Sequence, residues 1–432
     1  MTGPSRLLVC GLKEGALMEK AESDKATKLS EELGPKNIEE LRAILTLRYY
    51  PKGPTLLPKL TWRDFIPYSG IENVVKPMIE GAIRAAIDYK KPKTIGIAIS
   101  GGVDSTTVLA LTRKLYPQLN IKSLCITFGQ DTVEAPDAQN AADMFETDHF
   151  HMNLEGPFQT LPAQIAVLKV PRWNAYMYFV FEYFAKKKVD MMLTGDGGDE
   201  NFGGYVFRYK QLLSSSGERI DPRAYLDAHK MDWVPDQPKL FGPRVKFSWD
   251  EMYSYVSEYF SNPLSKLGQI FLADYSGKLL YDFAPTNTAF AKHFAVDSLA
   301  PMLNTEVIYM ASHLPYEFKY DHKNNIGKVI LRQILLGNFA YKAALKGKIG
   351  FGMDRFEMWR TNKDRVTSML DDARCVKMGL IDKDWLKKAF DKTESETEDT
   401  RLRYITRLFA LLALEVWLRL FVTKELKATD KL

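Results

Sequence analysis

Short apolar runs alternate with longer amphipathic stretches through the first half of the chain. Thr94 to Ile99, Ile121 to Phe128, His149 to Leu154 and Val189 to Thr194 have the length and composition of strands. Between them, Thr106 to Leu115, Ala135 to Phe145, Leu161 to Leu168 and Ala175 to Lys188 read as helices. Val74 to Tyr89 is an earlier amphipathic helix, with Pro77 confined to its first turn. Strands separated by helices predict a parallel sheet covered on both faces. Past Tyr205 the strand pattern fades. Trp249 to Phe260, Leu264 to Leu280, Thr305 to His313, Lys328 to Leu336, Lys363 to Leu370 and Arg401 to Phe421 all carry helical patterns. Asp391 to Thr400 is charged and threonine-rich, which predicts a mobile loop. Upstream, Met18 to Leu45 is polar and helical in composition, and Pro51, Pro54, Pro58 and Pro67 then break the chain. The expected organisation is an accessory segment over 1–70, an α/β core over 71–210 and a helical region over 211–432.

Two glycine-rich segments add chemistry to this pattern. Ser100-Gly101-Gly102-Val103-Asp104-Ser105 joins the first strand to the next helix. Adjacent glycines let backbone approach a ligand closely, and the free amides of a helix start attract an anion. Ser100 and Ser105 supply hydroxyls for phosphate oxygens, and Asp104 a ligand for magnesium. The second segment, Thr194-Gly195-Asp196-Gly197-Gly198-Asp199-Glu200, continues to Gly203-Gly204-Tyr205 and follows another apolar run. Its carboxylates complete a magnesium shell begun by Asp104, with Asp104 and Asp196 as the expected ligands. Ligands of parallel sheets bind beyond the carboxyl ends of the strands, where both segments fall.

Together the segments resemble the N-type ATP pyrophosphatases, and within them the asparagine synthetase and β-lactam synthetase family. Ser100 to Ser105 is similar to the family's pyrophosphate loop. Thr194 to Tyr205 is similar to its second signature, differing at Thr194, Gly198 and Asn201. The resemblance implies a five-stranded parallel sheet of the adenine nucleotide alpha-hydrolase (PP-loop) type, followed by a mainly helical region. It implies ATP and Mg²⁺, with adenylation of a carboxylate and transfer of the acyl group to ammonia or an amine. The nucleotide-binding positions it implies are Ser100, Gly101, Gly102, Val103, Asp104, Ser105, Ile126, Phe128, Gly195 and Asp196. Pro301-Met302-Leu303-Asn304 and Leu414-Glu415-Val416-Trp417 resemble further family segments. Lys348-Ile349-Gly350-Phe351-Gly352 is similar to a segment whose lysine faces the reacting phosphate, which makes Lys348 the expected catalytic lysine. Spacing alone, with Lys342, Lys346 and Gly347 nearby, favours a solvated lysine, and it is the resemblance that points to catalysis.

Departures from the family bear on the substrate. Lys169-Val170-Pro171 stands where relatives carry Asp-Glu-Pro, and Thr288 and Ala289 replace an Asp-Arg pair. Asp297 falls where a glutamate acts near the amine, and is the second expected catalytic residue. Tyr275, Lys278 and Tyr281 lie where they would wall the acceptor pocket, although their spacing also suits plain packing. Residue 2 is Thr, not the cysteine nucleophile of a glutaminase, and Tyr50 to Leu56 resembles the connector between the family's two halves. The expectation is a synthetase without its ammonia-generating half, served by free ammonia, another amine or a separate amine-supplying or carrier protein.

Composition narrows the setting. The 432 residues carry 59 basic and 54 acidic side chains, a net charge of +5, too even for a nucleic-acid footprint. The only run of three lysines, Lys186-Lys187-Lys188, ends a helical stretch, where positive charge suits the helix dipole. Three widely separated cysteines, Cys10, Cys125 and Cys375, make neither a metal cluster nor a disulfide framework, which points to a reducing, cytoplasmic setting. No apolar stretch reaches membrane-spanning length. An amide-forming ligase acting like asparagine synthetase is the leading function. A lactam synthetase on a specialised substrate and a non-catalytic or tRNA-modifying nucleotide-binding homologue remain as alternatives.

Overall fold

A computed structural model describes residues 35–128, 134–154, 156–345, 354–395 and 397–432. Five strands form one parallel sheet: β1 (Thr94–Ala98), β2 (Asn120–Thr127), β3 (Asp148–Asn153), β4 (Met191–Leu193) and β5 (Ser298–Leu299). Their order is β3-β2-β1-β4-β5. The chain leaves β1 towards one edge and returns beside it as β4, so the order reverses between β1 and β4.

Alternation along the strands builds two apolar layers. Ile121 and Cys125 of β2, with Met191 and Leu193 of β4, join the cluster holding Ile95 and Ile97. That cluster includes α2 (Val75–Lys90), α3 (Val103–Leu115) and α4 (Glu134–Met144). Leu124, Ile126 and Met192 point the other way, against Phe181 and Phe184 of α6 (Met177–Lys186). Gly96 makes room there, because a Cβ on it would stand 2.6 Å from the Phe184 ring. Burying each of these large apolar side chains contributes roughly 1.5–3 kcal/mol.

Most helices fall within a few residues of their sequence patterns. One difference matters for function: α3 begins at Val103, not Thr106. Gly102 is extended, with φ −71° and ψ 163°, so the glycine loop feeds the first turn directly. The expected helix from Leu264 to Leu280 also runs further. An α-helix, Lys266–Asp274, passes into wide π-helical turns over Tyr275–Phe283, and these continue into a helix over Ala284–Phe294. Gly277 kinks this path with φ −97° and ψ −114°.

The expected loop over Asp391 to Thr400 is corrected to helix at 391–395 and from Glu398 onwards. One helix covers Lys383–Ser395 and the next begins at Glu398. Trp385, Leu386, Ala389 and Thr393 are buried at helical spacing, and this stripe outweighs the charged residues facing outward. The last helix, Glu398–Phe421, buries Leu408, Leu412 and Trp417 in a cluster shared with Phe158, Trp173 and residues of α1 (Pro35–Leu47) and α5 (Leu161–Leu168). No helix among the described residues is long and apolar enough to cross a membrane.

Candidate active site at the sheet switch point

The reversal of strand order leaves a crevice beyond the carboxyl ends of β1 and β4, the general ligand position of such sheets. Both glycine segments lie there. Gly101 has φ +69°, and any Cβ on it would strike the backbone of Asp137 and Ala138 at the start of α4. The Ser100 amide donates to Ser105 Oγ at 3.3 Å, and the Gly102 amide to Ser100 Oγ at 3.3 Å. Tyr341 closes the outer side, donating its hydroxyl to the Gly101 carbonyl at 3.2 Å. The loop is held in shape while the first-turn amides of α3 lack carbonyl partners inside the helix.

The second segment packs directly onto the first. A Cβ at Gly195 would lie 2.7 Å from the Ser105 amide nitrogen, and one at Gly198 would strike the Asp104 carboxylate. The glycines therefore serve close approach of one loop to the other. Two segments that sequence analysis places in one site are thus in direct contact.

Three carboxylates converge here with different partners. Asp196 accepts from Thr194 Oγ1 at 2.8 Å and from Asn287 Nδ2 at 2.7 Å. Burial raises its pKa above the ordinary carboxylate value, opposed by those hydrogen bonds, and the charge of Asp104 adds to the rise. Asp104 and Asp199 share Lys328, whose Nζ pairs with Asp104 Oδ2 and lies 2.6 Å from Asp199 Oδ1. Burial alone would lower the Lys328 pKa, but the two aspartates outweigh it and leave the pKa raised. The Lys328 ammonium is a cation already resident between the loops. Sequence reasoning missed it, because Lys328 was read only as the first residue of a helix. That helix begins at Val329, and Lys328 itself takes the left-handed conformation, φ 57°, with its amide bonded to the Phe202 carbonyl.

The remaining expected residues divide. Ile126 and Phe128 are buried at the carboxyl end of β2, beside the same crevice, with Phe128 edge-on to Tyr176 at 6.3 Å. Lys348 lies outside the described residues. Asp297 is not brought to the loops. It precedes β5 at the amino-terminal edge of the sheet and pairs with Lys90 at 2.5 Å, at the end of α2. Its position gives it a structural partner and no reach to the crevice. Glu415, in the C-terminal resemblance segment, is buried and accepts the amides of Arg374 at 2.9 Å and Cys375 at 3.1 Å, which makes that segment a packing device.

Asp104 and Asp196 suit magnesium in donor type, since Mg²⁺ takes one or two carboxylates and completes its shell with phosphate oxygens and water. Among the described residues, no group of three or more His, Cys, Asp or Glu side chains is arranged to hold a metal ion by itself.

A second space opens on the far side of Asn287. Asn287 holds Asp196, while its neighbour Thr286 accepts from Arg172 at 2.5 Å. Arg172 also pairs with Asp282 and helps line a cleft of about 280 Å³. Val170, Pro171 and Tyr281 line it too. Lys278 supports the wall by pairing with Asp232 at 2.5 Å. Tyr275 does not join them, since it donates to the Pro58 carbonyl and packs near Phe65. Burial is the largest influence on Lys278 and lowers its pKa to about 8, against the pull of Asp232. Asp232 goes to about 2, because Lys278 and Arg48 outweigh the effect of burial.

Comparison with known proteins points to one family. A family model described as asparagine synthase matches residues 78–419. The chain is similar to the glutamine-hydrolyzing asparagine synthetase of Gallus gallus, at 28% identity over 171 residues. That match covers 36% of this chain and 30% of the relative. The corresponding human enzyme is 24% identical over 173 residues, covering 38% and 30%. The matched part of the chain thus spans less than a third of the length of these relatives. A solved NAD+ synthetase from Burkholderia pseudomallei is similar at 14% identity and TM-score 0.24, covering 60% of this chain and 93% of that one.

Proposed function

We propose that this chain, which belongs to the asparagine synthase family, is an ATP-dependent amide-forming ligase that works by adenylation. The carrying observation is the interlocking of the two glycine loops at the switch point, with Gly195 and Gly198 against Asp104 and Ser105. In this reading the phosphates lie over Ser100 to Ser105, on the first amides of α3. Adenine lies towards Ile126 and Phe128. Asp104 and Asp196 would hold Mg²⁺, which supplies charge neutralisation to the phosphates.

A carboxylate oxygen attacks the α-phosphorus of ATP, and pyrophosphate leaves. The nitrogen of ammonia or an amine then attacks the acyl carbon, loses a proton, and AMP departs with the former carboxylate oxygen. Lys348, by the family resemblance, balances negative charge in both transition states. The core over 71–210 carries the nucleotide in this account, and the region over 211–432 completes the acceptor side. Cys125 and Cys375 are buried free thiols, in keeping with a reducing cytoplasmic setting. ATP–pyrophosphate exchange over a panel of carboxylic acids, without amine, tests the reading. Acid-dependent exchange is expected, and turnover yielding only ADP and orthophosphate would refute it.

A further inference from the structure

The cleft beyond Asn287 holds more positive charge than its own carboxylates balance. Arg48, Lys52, Arg172 and Arg407 line it with Glu40, Asp232 and Asp282, and Lys278 pairs with Asp232 from outside the lining. Four cations against three carboxylates leave one positive charge in excess. At the mouth, Lys52 is matched by Glu39 at 2.7 Å, and Glu40 lies beside them. Uncompensated buried charge is costly, so a chain keeps it only where something offsets it.

Two of the cations have donors to spare. Arg48 ends α1 in the left-handed conformation, φ 74°, which turns its side chain into the cleft. Its guanidinium stands 3.6 Å from Asp232 and 3.9 Å from Asp282, beyond hydrogen-bond length. Arg407 is 4% exposed and gives one amino group to the Asp232 carbonyl, while its Nε has no hydrogen-bond partner among the described residues. Burial lowers the pKa of Arg407 to about 10, with Asp232 opposing. Apolar surface lies next to these donors. Tyr49 and Tyr281 stack with ring centres 5.9 Å apart, and both line the cleft with Trp173.

We propose that this cleft binds a second carboxylate of the acid substrate, so that the acid is a dicarboxylate with an apolar body. Resting on the adenylation reading, one carboxylate reaches the loops past Asn287 while the other is received by Arg48 and Arg407. A planar guanidinium matches a carboxylate with two parallel hydrogen bonds, and the tyrosines cover the carbon chain between the acid groups. The Lys169-Val170-Pro171 departure is consistent with this, since a cation-rich wall needs no added carboxylates there.

The test is calorimetric titration of the full chain with glutarate, adipate, monomethyl adipate and inorganic phosphate, beside exchange assays with the same acids. Adipate or glutarate should bind at least tenfold more tightly than the monoester. Arg48→Met should weaken the diacid by about ten- to a hundredfold and leave the monoester unchanged. Arg48→Lys, which keeps the charge, should fall between and guards against a folding defect. Selective diacid binding that depends on Arg48 upholds the inference even if no acid supports exchange, in which case adenylation alone fails. Exchange supported equally by monoester and diacid, tighter binding of phosphate than of either diacid, or no diacid binding would overturn it.

Discussion

The two polar regions of this molecule are built in opposite ways. The loop crevice is made of backbone, glycine and carboxylates, and its resident cation, Lys328, pairs with Asp104 and Asp199. The cleft beyond Asn287 is made of long side chains, with four cations against three carboxylates on its lining. One side carries an excess of carboxylates and is geometrically exact, with no room for a Cβ. The other is electrostatically open and has space. A polyphosphate arriving with its own metal needs amides and close backbone approach, whereas an organic acid needs charge and volume.

Removing the shared cation is the severest way to break that contrast. Lys328→Met takes away the ammonium that the half-buried Asp104 and Asp199 share, and should lower unfolding free energy by roughly 2–4 kcal/mol. Added Mg²⁺ should restore part of the loss, because it can take the position of the lost charge. Denaturant melts with and without the metal check both statements, and unchanged stability would show that the loops do not depend on this lysine.

Gly198→Ala attacks the geometry and leaves the charges in place. Its Cβ collides with Asp104, so acid-dependent exchange should fall by about a hundredfold or more. Gly217→Ala is the control. Gly217 has φ +81° but open space around it, so only about 1 kcal/mol of strain and no change in exchange are expected. For Lys348→Ala we expect kcat to drop by roughly a hundredfold with little change in ATP affinity. Lys346→Ala should lose little, and the opposite ranking in steady-state kinetics would move the catalytic role.

The smallest effect concerns a cation of the opposite kind. Lys319 is fully buried against Phe65 and Phe271, and its Nζ has no hydrogen-bond partner among the described residues. Burial lowers its pKa to about 7, from an ordinary 10.5. Between these values the unfolded chain holds a proton that the folded chain does not, so stability should rise with pH across the window. Lys319→Met should raise unfolding free energy at pH 7 by roughly 1–3 kcal/mol and flatten that rise. Equal pH slopes in the two proteins would refute the assignment.

The same contrast explains what could be read before the fold was known. The loops are local, since glycine spacing and adjacent apolar runs lie within a dozen residues, and those segments came together as expected. Three of the four longer strands were equally plain, because each is an apolar run between helices, whereas β3 only alternates Phe150 and Met152 with polar residues. The fifth was not, since Ser298 and Leu299 are too few to carry a pattern. The cleft was almost invisible. Arg48, Arg172, Asp232, Lys278 and Arg407 come from five distant parts of the chain, and each alone looks like a surface charge. Lys328 failed for the same reason, as nothing near it in sequence marks its aspartates. Asp297 shows the reverse error: alignment to a motif gave it a role that its place in the sheet does not support.

Transfer of ¹⁸O from labelled acid to the nucleotide tests the central claim most directly. The acid selected by the exchange screen, labelled in both carboxylate oxygens, is turned over with ATP, Mg²⁺ and ammonia, and the products are read by mass spectrometry. Attack on the α-phosphorus predicts one labelled oxygen in AMP and none in pyrophosphate. Label in orthophosphate, with ADP as the nucleotide product, would contradict it.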